Sequence, residues 1–161
     1  MSIPSLLMSF CQWADSSWFG HGVRDSIWLF PFIEIFHLLG LGILGGTILM
    51  LNLRLMGIAF RGDQLPAIAK EVRWWMIGST IVMLVTGFLL FSSEAMKMYG
   101  NEAFRYKMVF LVFALLFTFT IHRWVTASDR TMAWPWRWLV ALLSLGIWAC
   151  VGLAGRAIGY V

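Results

Sequence analysis

Apolar side chains gather in four long runs, Ile27 to Leu53, Trp74 to Phe91, Met108 to Trp124 and Trp138 to Gly155, and the stretches between them hold nearly all the charge. Each run is near the ~20 residues that cross about 30 Å of hydrocarbon at roughly 1.5 Å per residue. The pattern predicts an all-α fold, a single membrane domain over residues 1–161 built as a four-helix bundle. Ahead of the first run, residues 4–19 place Leu6, Leu7, Phe10, Trp13 and Ala14 on one helical face and Gln12, Asp15 and Ser16 elsewhere. That segment is expected to lie along the interface as an amphipathic helix. Asp25 and Ser26 are placed to cap the first span, and Pro31 either kinks it or sets its start. Leu65 to Val72 reads as a short interfacial helix running into Arg73, Trp74 and Trp75. Ser92 and Ser93 close the second span, and Asn101 is a cap for a helix that enters the membrane near Lys107.

Composition removes the soluble alternatives. The chain is 60% hydrophobic and 12% charged, where a soluble domain has about 45–50% and about 25%. Its net charge of +4 does not point to nucleic acid, because the cations sit between apolar spans and orient them. Arg54, Arg61, Lys70, Arg73, Arg123, Arg130 and Arg137 lie on one side, and Arg24, Lys97, Arg105, Lys107 and Arg156 on the other. This bias favours both termini facing away from the cytoplasm, with tryptophans such as Trp28, Trp74, Trp75, Trp124, Trp136 and Trp138 forming the interfacial belt. The first 26 residues lack a basic start followed by an apolar core, so no cleavable signal is expected. Cys11 and Cys150 are too few and too distant for a disulfide framework or a CxxC site.

Ionisable groups inside an apolar span cost free energy and are functional candidates for that reason. The first span holds Glu34 and His37, three apart on one helical face. A Glu-x-x-His pair is half of a di-iron signature, whose second copy and two further glutamates are absent here. The plainer alternative is that Glu34 orients a packed His37 or bonds a neighbouring helix. His122 lies towards the end of the third span beside Arg123, where a structural role at the helix terminus weighs equally with a ligand role. His21 is expected in solvent. Two intramembrane histidines on separate helices suggest haem, and Gly40, Gly42, Gly45 and Gly46 leave room for a porphyrin edge. Gly42 and Gly46 also make a GxxxG packing spacing. Counting residues from the boundaries offsets the two imidazoles by ~6 Å in depth, which is awkward for two ligands on one iron but is erased by boundary shifts of about 2–4 residues; a shared iron is permitted, and a haem on His37 alone is the alternative. Lys107 and Arg105 on one side, and Arg54 and Arg123 on the other, could hold propionates or an anionic substrate, or simply reach lipid phosphate. Glu94 and Lys97 are spaced to pair. No phosphate-binding loop, nucleophile elbow or zinc spacing is present.

The run Trp28 to Gly40 with Glu34 and His37, then Gly45-Gly46-Thr47, Asn52-Leu53-Arg54 and Gly57, resembles an uncharacterised family of small bacterial inner-membrane proteins. Thr86-Gly87, Ser93-Glu94, Asn101, Phe104, Lys107 and His122-Arg123 carry the resemblance through almost the whole chain. It implies four helices and no settled activity. A more distant similarity, in the order of an early His, a glycine patch, an Arg-Leu and a Lys opening the third span, is to HemJ-type protoporphyrinogen oxidases and copper-resistance D membrane domains. That similarity implies haem b binding involving His37 and Lys107. Glu34 and His122 depart from its pattern, so haem binding, rather than the particular oxidation, is the part that transfers.

The expectation is a haem b protein of the bacterial inner membrane, with His37 and His122 as iron ligands and Glu34, Gly40, Arg54, Lys107 and Arg123 around the cofactor. It would act in electron transfer or as an oxidoreductase with a quinone-level or periplasmic redox partner. A copper or proton path through Glu34, His37 and Glu94 is the transport alternative. A homo-oligomeric scaffold built on the glycine spacing is the non-catalytic one.

Overall fold

The structure is a computed structural model that describes residues 3–62, 64–127 and 133–160; Arg130 lies outside them. The described residues form helices α1 (Ile3–Asp15), α2 (Trp18–Asp25), α3 (Leu29–Leu55), α4 (Leu65–Ser93), α5 (Ala95–Gly100), α6 (Glu102–Phe117), a π-helical turn (Thr118–His122), α7 (Arg123–Ala127) and α8 (Trp134–Ala157), followed by a 3₁₀ turn (Ile158–Tyr160). Four of the helical stretches, Leu29–Leu55, Leu65–Ser93, Glu102–Ala127 and Trp134–Tyr160, are long and apolar enough to cross a membrane. The chain is an all-α, multi-pass membrane protein.

Several boundaries differ from those expected, each for a local reason. The amphipathic segment is two helices rather than one. Ser17 breaks it, its hydroxyl donating to the Ala14 carbonyl at 2.6 Å and accepting from the Gly20 amide at 3.1 Å, which makes it the N-cap of α2. Pro31 sits in the first turn of α3, where no intrahelical donor is needed, so it sets the start without kinking the helix. Ser26 Oγ accepts from the Leu29 amide at 3.2 Å, as a cap should. The expected interfacial helix at Leu65 to Val72 is continuous with the second span, since nothing between them breaks a helix. Asn101 caps α6 through a 3.1 Å bond from the Phe104 amide. That cap starts the third span at Glu102, six residues before the expected Met108, and brings Lys107 inside the span. At the far end of α3 the Gly57 amide returns to Arg54 O at 3.0 Å and the Ile58 amide to Leu53 O at 2.9 Å. This closing motif needs the left-handed backbone that Gly57 adopts at φ 72°.

The bundle has two unlike ends. At the end that carries the interhelical loops, Leu51, Leu55, Met56, Leu65, Ile68, Val72, Val125, Val140 and Ala141 form one buried cluster drawn from all four spans. Here α4 meets the third span through α7. At the end that carries the termini, α3 packs on α4 and α6 on α8, and Ala114 is the only buried residue of the sixteen in α6. This end is covered by α1 and α2. Arg24 donates to Ser93 O at 2.7 Å and pairs with Asp15 at 2.6 Å. Phe10, Phe91 and Phe104 stack at 6.1 and 5.3 Å, tying α1, α4 and α6 together.

Candidate functional site

His37 stands eight residues into α3, half-buried, facing α4. Its Nδ1 lies 2.8 Å from Thr86 Oγ1. The single hydroxyl hydrogen of Thr86 is already donated to Val82 O at 2.6 Å, so Thr86 can only accept from the imidazole. His37 therefore carries its proton on Nδ1 and leaves the Nε2 lone pair free. A hydrogen bond from one ring nitrogen that fixes the tautomer at the other is how ligating histidines are held. Gly87 completes the seat, because a Cβ there would come within 3.1 Å of His37 Cε1.

Lys107 lies in the same layer. It is half-buried in α6, near enough to His37 to act on it electrostatically, and its aliphatic stem and Nζ run along α8 at 3.6–3.9 Å from where a Gly155 Cβ would stand. No carboxylate makes an ion pair with it among the described residues. The Phe91–Phe104 stack sits one to two turns above this layer, and α6, in which Ala114 is the one buried residue, bounds it on one side. The layer thus joins an imidazole with an open lone pair to a lysine that makes no ion pair among the described residues.

His122 belongs to a different assembly. It is 1% exposed, and its Nε2 lies 3.0 Å from Asn52 Oδ1. Asn52 Nδ2 donates to Ile48 O at 2.9 Å and to Ser144 Oγ at 3.0 Å, which commits both amide hydrogens and fixes Oδ1 as the acceptor. His122 therefore donates from Nε2, the nitrogen that faces Asn52. The π-helical turn directs it there. Ala114 and Thr118 precede it on the buried face, and four-residue steps drift around an α-helix by about 40° each; the wider turn lets His122, Val125 and Thr126 stay on that face. Trp148 Nε1 donates to Thr118 Oγ1 at 3.0 Å beside it.

The structure does not bring His37 and His122 together. His122 is bonded to Asn52, which lies fifteen residues beyond His37 on one continuous helix, about 22 Å along its axis. Axial ligands of one iron must flank a single atom, so a shared iron does not fit. The expected depth offset of ~6 Å was small because the third span was started too late.

The other expected positions divide similarly. Glu34 is exposed on the outside of α3, and its carboxylate has no hydrogen-bond or ion-pair partner among the described residues, so it does not orient His37. Gly40 is covered by α4, where a Cβ would meet Met83 and Val82 at 3.2 and 3.3 Å; it serves helix packing and offers no room to a cofactor. A Cβ at Gly42, Gly45 or Gly46 would meet nothing within 4 Å, so the GxxxG spacing does no packing within the chain. Arg54 and Arg123 lie at the loop end, far from His37. Arg105 turns back to Tyr99 O at 3.0 Å, and Lys97 pairs with Glu94 at 3.5 Å. His21 is exposed. Among the described residues no three His, Cys, Asp or Glu side chains converge on a metal-sized site.

Thr86 and Asn52 were visible as polar residues in apolar runs, but a search restricted to ionisable groups passes over hydroxyls and amides. Gly155 and Ser144 carry no signal of their own. Residues 10–161 match one family pattern. The chain belongs to DUF6644, a family of unknown function. Both histidines, Thr86 and Lys107 fall inside the region that defines this DUF6644 chain. No curated protein and no solved structure matches it, so the resemblance to HemJ-type and copper-resistance D proteins adds no assignment.

Proposed function

We propose that this DUF6644 protein binds one haem b at the terminal end of the bundle, with His37 Nε2 as its protein ligand, and serves in membrane electron transfer or as an oxidoreductase. The observation that carries the reading is the hydrogen-bond chain His37 Nδ1–H to Thr86 Oγ1 to Val82 O, which leaves Nε2 as the free donor atom. The surroundings suit the group. A haem needs only one or two protein ligands, so the absence of a converging triad among the described residues does not count against it. Lys107 would supply a cation for a carboxylate edge, and α6, in which only Ala114 is buried by the chain, leaves surface against which a flat ring could lie.

Bound there, the group would supply one-electron chemistry. The chain's own residues do the rest. Thr86 holds the imidazole plane, Gly87 lets the ring lie close to α4, and Lys107 places positive charge beside the site, which favours the reduced form of a bound redox group. The Phe10–Phe91–Phe104 stack and the α1–α2 cover limit water from the terminal side. We place the protein in the bacterial inner membrane with both termini periplasmic, from the bias of Lys and Arg, and with a quinone-level or periplasmic redox partner.

The test is an absorption spectrum of detergent-purified protein, oxidised and dithionite-reduced, with a pyridine haemochrome count. The expected result is a b-type spectrum that His37→Ala abolishes and His122→Ala retains. Colourless protein from haem-replete cells, or haem kept by His37→Ala, overturns the reading.

A further inference from the structure

At the loop end a cleft of about 340 Å³ opens between α4 and α7. Lys70 and Arg73 on α4 and Arg123 on α7 contribute to its wall, all three exposed, while Met76, Ile77 and Phe119 give it an apolar inner surface. Among the described residues no acidic side chain lines it, and none of the three cations forms an ion pair. Arg73 lies 5.5 Å above the Trp74 ring, an arrangement that leaves its charge unneutralised. Trp74, Trp75 and Trp124 are exposed by 71%, 66% and 54%, so large indole faces point outwards at this level. Indoles mark the headgroup layer of a bilayer, which puts the three cations at the depth of lipid phosphate.

A lone cation near a span end reaches lipid phosphate by bending outwards, and nothing further follows from it. Here the cations come from helices some fifty residues apart and share one concavity. The concavity is apolar towards the bundle and basic at the headgroup level, so its chemistry matches one amphiphile whose anionic group and acyl chain are adjacent. We infer that this cleft binds a single anionic phospholipid, its phosphate held by Lys70, Arg73 and Arg123 and an acyl chain lying on Met76, Ile77 and Phe119. Because α4 meets the third span through α7, a lipid seated there would staple the two together. The site is separate from the His37 layer and stands whether or not haem binds.

The experiment is native mass spectrometry of the full chain in a neutral detergent, with phosphatidylglycerol, phosphatidylcholine or inorganic phosphate added at matched concentration. The wild type should retain one phosphatidylglycerol per chain in preference to phosphatidylcholine, and inorganic phosphate should not displace it. Substituting Lys70→Gln, Arg73→Gln and Arg123→Gln together should weaken retention by about tenfold or more, since each cation near a lipid surface contributes appreciably. Lys70→Arg, Arg73→Lys and Arg123→Lys together should keep it within about threefold, the charge being unchanged. Ala69→Trp fills the cleft without touching a charge and should also release the lipid, which keeps the proposal testable should the glutamine triple variant fail to fold. Equal retention by the glutamine variant, unchanged retention by Ala69→Trp, equal binding of phosphatidylcholine, or displacement by inorganic phosphate would each overturn it.

Discussion

The two intramembrane histidines stand at comparable sequence landmarks and end in opposite situations. His122 at the loop end is buried in a network in which every donor of Asn52 has an acceptor, amid a core drawn from four spans. His37 at the terminal end is half-buried, held through one nitrogen, and bounded by a helix with one buried residue. In a bilayer, helix association draws on close packing and interhelical hydrogen bonds, because lipid is as apolar as leucine. The loop end uses both, and its histidine is held through Nε2 within a close-packed core. The terminal end buries only one residue of α6, which leaves the His37 Nε2 lone pair and a lysine that makes no ion pair among the described residues where chemistry can be placed. Each histidine has one ring nitrogen hydrogen-bonded, so the two are told apart by the packing around them, and depth alone does not decide.

The largest effect should come from Asn52→Leu, which keeps the volume but strands the His122 N–H and Ser144 in the buried core. We expect a loss of about 1–3 kcal/mol, read by denaturant unfolding in detergent. Adding His122→Leu should recover part of it, and the coupling in the double-mutant cycle should be about 0.6–1.7 kcal/mol. Strict additivity would remove the network from the account. The matching change at the other end, Thr86→Val, removes the acceptor of His37 Nδ1 without altering shape. Unfolding should barely move, while haem retention should fall about 10–100-fold, as for lost partners of other ligating histidines. A spectrum and affinity indistinguishable from wild type would mean that Thr86 does not set the tautomer.

Smaller still, Gly57→Ala should cost about 1 kcal/mol, because alanine resists the left-handed backbone that closes α3. Hydrogen exchange should locate the loss at the loop end, with the amides around His37 unaffected. Protection lost equally at both ends would show that the bundle unfolds as one unit and that the contrast is confined to the static structure.

The four spans were legible because twenty-residue apolar runs have few alternatives, and the Asn101 and Ser26 caps because their side chains act locally. What was not legible depended on partners distant in sequence. Glu34 and His37 share a helix face by spacing, yet His37 turns to Thr86, forty-nine residues away. The glycine run suggested room for a porphyrin, but which glycine faces a neighbour depends on the position of α4, and only Gly40 does. The shared iron failed through one boundary. Treating Lys107 as a membrane edge, rather than as an interior cation lying along Gly155, shortened the third span by six residues and pulled His122 towards His37.

The smallest effect should be that of Glu34→Gln, and its smallness carries information. A carboxylate within an apolar run is the feature that most invites a functional role, since charge at the centre of a span is costly. Glu34, however, lies five residues from the start of α3, about 7 Å along it, where the headgroup layer and water are within reach of the side chain. It faces outwards and has no partner among the described residues, so neutralising it removes no contact within the chain. The unfolding temperature should change by no more than about 2 °C, as for other exposed positions, and the reduced spectrum should keep its bands. A shifted spectrum would place Glu34 electrostatically within the His37 site, and a change in oligomeric mass would show that its partner is supplied by a second copy. Either result would move the functional surface from the interior of the terminal end to its outer face.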